Sequence, residues 1–101
     1  MTDKQYEAQK KRVIKYWNKW FKPMGINWWW VDRTWDRARD MDSPATAART
    51  ESNWEYRTAE ITFYLPALED LTDEQLEEVI VHEFVHVLSM AINNFETEKI
   101  S

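Results

Sequence analysis

The two histidines of the chain, His82 and His86, stand four residues apart in the run His82-Glu83-Phe84-Val85-His86. On a helix, residues at i and i+4 project the same way with Cβ atoms about 5–6 Å apart, which lets two imidazole nitrogens meet one Zn2+ at about 2.0–2.1 Å. The run therefore matches the pattern HExxH. A catalytic zinc commonly takes three protein ligands and keeps a fourth position open. With no cysteine and no further histidine in the chain, the third ligand must be a carboxylate. Glu96 and Glu98 are assigned, Glu96 first. On a straight helix Glu96 would lie about 15 Å along the axis from His86, so this assignment needs the chain to turn at Asn93-Asn94 and fold back. Glu78, one turn before His82, and an acidic residue of the 32–42 segment are the alternatives.

Such a constellation needs a helix, and the local sequence predicts one from about 73 to 92. In Leu71-Thr72-Asp73-Glu74-Gln75-Leu76, Thr72 and Gln75 make a capping box, Leu71 and Leu76 a hydrophobic staple, and Asp73 and Glu74 place negative charge at the positive end of the dipole. On a wheel at about 100° per residue, the apolar residues from Leu76 to Ile92, Phe84 and Val85 among them, cover roughly 240°. The helix is thus expected to be largely buried. One polar stripe remains, holding Glu78, His82, His86, Ser89 and Asn93, with Glu83 at its margin.

Upstream, Tyr6, Val13, Ile14, Trp17, Trp20 and Phe21 recur at helical spacing over residues 3–21, and Pro23 and Gly25 end that helix. The aromatic run 26–32 reads as a strand. Residues 33–52 read as a loop containing one short helix, with Ser43 as its cap and Pro44 at its first position. Residues 54–65 alternate, with Ala59, Ile61, Phe63 and Leu65 on the buried side and Glu60, Thr62 and Tyr64 on the other, and Pro66 stops the strand. The expected fold class is α+β: an N-terminal helix, a small β-sheet of about three strands and a C-terminal helix bearing the histidines.

A chain of 101 residues makes a single domain, 1–101, and its 44% hydrophobic and 31% charged residues are those of a globular protein. Seven tryptophans supply large buried areas to a short chain. The net charge of −5 is concentrated around the histidines, since residues 60–101 hold ten acidic residues against Lys99 alone. Residues 1–22 are basic, but a lysine-rich helix face is usually solvated and the whole chain is acidic, so no nucleic-acid partner is expected. There is no apolar leader and no run of about 18 apolar residues, which predicts a protein that stays in the cytoplasm without touching a membrane.

With those residues in view, the chain resembles the small zincin-like metallopeptidases of phages and bacteria, minimal relatives of the gluzincin group. The resemblance covers residues 54–92: AEITFYLPAL, then the acidic capped turn EDLTDEQLEEV, then IVHEFVHVL. It implies one Zn2+ per chain held by His82 and His86. It also implies that Glu83 is the general base, taking a proton from a zinc-bound water that attacks a peptide carbonyl. The substrate is then a peptide or protein, paired in extended form with a cleft strand at residues 60–65. No histidine follows the motif, which excludes HExxHxxGxxH and leaves Tyr64, Tyr56 and Arg57 as candidate donors to the tetrahedral intermediate. The alternative is a binding module, zinc-containing or metal-free, that engages a protein or nucleic acid through the basic aromatic N-terminal helix.

Overall fold

The structure, a computed structural model, describes the backbone of residues 1–100 and the side chains of residues 1–90. Helix α1 (Asp3–Trp20) opens with a capping box: the Gln5 N–H donates to Thr2 Oγ1 at 3.1 Å and the Thr2 N–H to Gln5 Oε1 at 2.8 Å. Gly25, at φ 76° in the left-handed region, reverses the chain. A 3-10 turn (Ile26–Trp28) follows, closed by the Trp29 N–H on the Ile26 carbonyl at 2.9 Å. The strand expected at 26–32 is displaced for that reason. The reversal after α1 claims the first backbone groups of the aromatic run, and strand β1 is Trp30–Asp36.

Residues 33–52 are not a loop with a helix. The Thr46 N–H bonds the Ser43 carbonyl at 2.9 Å, so Ser43-Pro44 begins a single turn. Strand β2 (Ala48–Asn53) then pairs antiparallel with strand β3 (Thr58–Tyr64), while β1 pairs parallel with β3. The order β1-β3-β2 makes a three-stranded mixed sheet with β3 at its centre. Residues 54–57 turn between β2 and β3, with Arg57 left-handed at φ 51°. β2 escapes a reading for hydrophobic alternation because its inward positions, Ala48, Thr50 and Ser52, are small or polar.

Ala59, Ile61 and Phe63 are buried as the alternation requires. Leu65 is buried too, but in the short helix α2 (Leu65–Leu68), where Pro66 fits the first turn. The last helix, α3 (Asp73–Ile100), starts at the predicted residue: the Thr72 N–H donates to Gln75 Oε1 at 2.9 Å and the Gln75 N–H to Thr72 Oγ1 at 3.2 Å. Helices α1 and α3 cover one face of the sheet. Trp17 lies at their junction, 4.9 Å from the Phe84 ring and 6.2 Å from the Phe63 ring. The α+β class with an N-terminal helix is therefore observed. Among the described residues no helix is long and apolar enough to cross a membrane.

Arg12 ties these parts together. Its guanidinium donates to the Leu68 carbonyl at 3.0 Å, the Leu71 carbonyl at 2.8 Å and Asp73 Oδ1 at 3.0 Å, so α1 holds both the end of α2 and the start of α3.

Candidate metal centre

The described part of α3 buries a narrow stripe, Leu76, Ile80, Glu83, Phe84 and Val87, rather than most of its circumference. Only one side of the helix meets the sheet and α1. Val85, expected to face inward, is 46% exposed. Glu83 moves the other way: it lies about 20° from Leu76 on the wheel and is 6% exposed. The distinction between these neighbours depends on which side the sheet covers, and a wheel alone carries no such information.

His82 and His86 are both exposed, and their Nε2 atoms are 2.9 Å apart. Two bonds of about 2.05 Å from these atoms to one ion would subtend about 90°, and widening the pair to about 3.3 Å gives the tetrahedral angle that zinc prefers. The donor set fits a metal in this respect: two imidazoles on one helix face, their ring nitrogens converging.

Glu83 points toward β2, where its Oε2 accepts a hydrogen bond from Thr50 Oγ1 at 2.5 Å. Thr50 is thus a site residue that the sequence reading did not single out. No local signal marks it, because its role comes from β2 lying alongside α3. Between this strand and the helix runs a hollow of about 510 Å³ lined by Ala47, Ala48, Leu71, Glu78, His82 and Glu83, among others. A second hollow, of about 570 Å³, adjoins it on the far side of His82 and is lined by Glu74, Glu77, Glu78, Val81, His82 and Val85. Glu77 there accepts from Lys19 Nζ at 2.9 Å and from Trp20 Nε1 at 3.2 Å. The Lys19 hydrogen bond above all holds its carboxyl below the ordinary value of 4.5.

No family, curated protein or solved structure matches this chain.

Among the described residues no third His, Cys, Asp or Glu joins the two histidines in a group that could hold a metal. The side chains of Glu96 and Glu98 lie outside the described ones, and the turn expected at Asn93-Asn94 is not formed, because α3 continues as helix through these residues to Ile100. Of the alternatives, Glu78 lines both hollows beside His82. The acidic residues of the 32–42 segment are placed elsewhere. Asp32 and Asp36 belong to β1, across the sheet from β2. Asp40 is buried and accepts from the Asp42 and Ser43 N–H groups and from Arg49 Nη2 at 2.7 Å, and these contacts, the Asp42 N–H first, hold its carboxyl below the ordinary 3.8 against the effect of burial.

The three candidate oxyanion donors are not brought to the histidines. Tyr64, expected on the open face, is buried and hydrogen-bonded to Asp40, and burial pushes its hydroxyl above 10.0. Tyr56 and Arg57 lie in the hairpin turn, where the Arg57 guanidinium sits over the Trp54 ring at 5.7 Å. Residues 60–65 cannot pair with a substrate strand, because β3 has β1 on one side and β2 on the other. β2 is the edge strand beside α3. The basic N-terminal helix, for its part, turns Arg12 and Lys19 toward other parts of the fold.

Proposed function

We propose that the chain is a zinc-dependent metallopeptidase of minimal zincin-like type, with α3 as its active-site helix. The observation that carries this reading is the convergence of His82 and His86 Nε2 to 2.9 Å beside a buried Glu83, at the mouth of a hollow flanked by an edge strand. His82 and His86 would hold the ion, and Glu78, which lines the hollow, is a nearer candidate for the third ligand than Glu96 or Glu98, which α3 carries on past His86 without a turn. When bound, zinc supplies Lewis acidity that polarises a carbonyl and favours ionisation of water.

The chain's own residues do the rest. Thr50 holds Glu83 Oε2, leaving Oε1 to accept the proton of the attacking water and return it to the leaving amine. A peptide laid along the outer edge of β2 gains main-chain hydrogen bonds and passes the hollow in extended form, in place of the pairing with 60–65 expected from sequence. The hollow excludes bulk water on one side through Ala47, Ala48, Leu71 and Val79.

The test combines metal content with turnover of an unstructured protein. Untagged protein should carry close to one zinc per chain. Glu83→Gln should keep that zinc and lose hydrolysis by at least about a hundredfold, as loss of a general base does. His82→Ala and His86→Ala should lose the zinc and keep the fold, because both rings are exposed. Zinc-free native protein, or full turnover by Glu83→Gln, overturns the proposal. Zinc affinities of Glu96→Gln, Glu98→Gln and Glu78→Gln then identify the third ligand.

A further inference from the structure

The helices cover one face of the sheet, and among the described residues no layer of secondary structure lies over its other face. On this open face Asp32 of β1 is in register with Glu60 of β3, and Glu60 with Glu51 of β2. Three exposed carboxylates therefore stand side by side across all three strands. Cross-strand neighbours on one face lie about 4.5–5.5 Å apart at Cβ, and like charges placed directly opposite are destabilising.

The cations that could relieve this are committed elsewhere. Arg49, two residues before Glu51, is bound to the buried Asp40 at 2.7 Å. Arg33 faces the helices, with its guanidinium over the Trp17 and Trp35 rings at 5.0 and 5.8 Å. Arg57 stacks on Trp54. Among the described residues, no Lys or Arg makes an ion pair with Asp32, Glu51 or Glu60.

The same face carries aromatic surface. Trp30 precedes Asp32 by two residues, so its side chain stands on the same face about 7 Å along the strand, and it is 73% exposed. Its N–H donates to the Arg57 carbonyl at 2.9 Å, which places the hairpin turn, with Tyr56 also 73% exposed, beside it. Between the carboxylates and this end of the sheet lies a depression of about 310 Å³, lined in part by Asp32, Glu51, Asn53, Thr58 and Glu60.

We propose that this open face docks a basic segment of a partner protein, seating a lysine or arginine between the Trp30 ring and the Asp32–Glu60–Glu51 row. Charge complementarity selects the occupant. An indole face and uncompensated carboxylates both attract an ammonium or guanidinium group, and the carboxylates repel nucleic acid and acidic chains. The row costs the free protein stability, and a cationic partner removes that cost. This surface is separate from the histidines, which lie on α3 beyond the opposite face.

The experiment uses fluorescence anisotropy of two dye-labelled peptides, one alternating Arg and Gly and one alternating Glu and Gly, with the metal-free full chain. The Arg peptide should bind saturably at low salt and at least about tenfold more weakly in about 1 M salt, where the screening length is about 3 Å. The Glu peptide should not bind. Trp30→Ser should weaken binding about fivefold, the worth of an exposed cation–π contact. The triple variant Asp32→Asn, Glu51→Gln, Glu60→Gln should abolish binding while melting no lower than the parent. The proposal is overturned if the triple variant binds equally well, which would move the site to the acidic α3 cleft, or if no peptide binds. It is also overturned if sedimentation shows a salt-sensitive dimer that the triple variant loses, since the occupant is then a second copy of the chain.

Discussion

Replacing Glu83 by leucine should make the protein more stable. The carboxylate is 6% exposed, lies in the same stripe as Leu76, Ile80 and Val87, and accepts one hydrogen bond among the described residues, from Thr50. Among the described residues no fully buried side-chain oxygen lacks a partner, so the cost is the partial desolvation of the carboxylate, about 1–3 kcal/mol. Leucine removes that penalty and fills the space with apolar atoms. Against this, the Thr50 hydroxyl loses its acceptor, at about 1 kcal/mol. The net gain is roughly 1 kcal/mol, the middle of a range of about 0–2, which for a domain of this size raises the melting temperature by about 5 °C. Thermal unfolding followed by circular dichroism on chelator-treated protein measures it directly, with Glu83→Gln as the control that keeps an acceptor for Thr50. A residue kept for catalysis at the expense of the fold behaves this way. If the leucine variant melts below the parent, the carboxylate is a structural partner of β2 and the reasoning fails.

Two further outcomes follow from the fold. Arg12→Met should lower stability by about 2–4 kcal/mol, because it strips donors from two backbone carbonyls at the α2–α3 junction and from Asp73. A melting shift smaller than about 3 °C would show that water replaces the guanidinium without loss. Asp40 has a folded-state value below its ordinary 3.8, so its contribution is present above that value and is lost as pH falls through the folded value. Melting temperature plotted from about pH 6 to pH 2 should therefore fall less steeply below about pH 4 in Asp40→Asn than in the parent, and parallel acid limbs would remove Asp40 from the account.

The elements whose causes are local were legible in the amino-acid sequence. The start of α3 is set by Thr72 and Gln75 acting on each other's backbone, and the buried face of β3 by alternation within seven residues. The i, i+4 spacing of His82 and His86 needs only a helix to bring their ring nitrogens together. What failed depended on a partner distant in sequence. β2 looked like loop because its inward side chains are small and polar, and it becomes a strand through its ladder with β3. The central place of β3 follows from β1 pairing with it in parallel, a register no local pattern encodes. Burial around α3 was misjudged for the same reason: periodicity lists which residues share a face, whereas the sheet decides which face is covered, and so Glu83 is buried and Val85 exposed. Tertiary structure alone set Thr50 against Glu83 and put three carboxylates in one row, because side chains from different strands become neighbours only once the register between those strands is fixed.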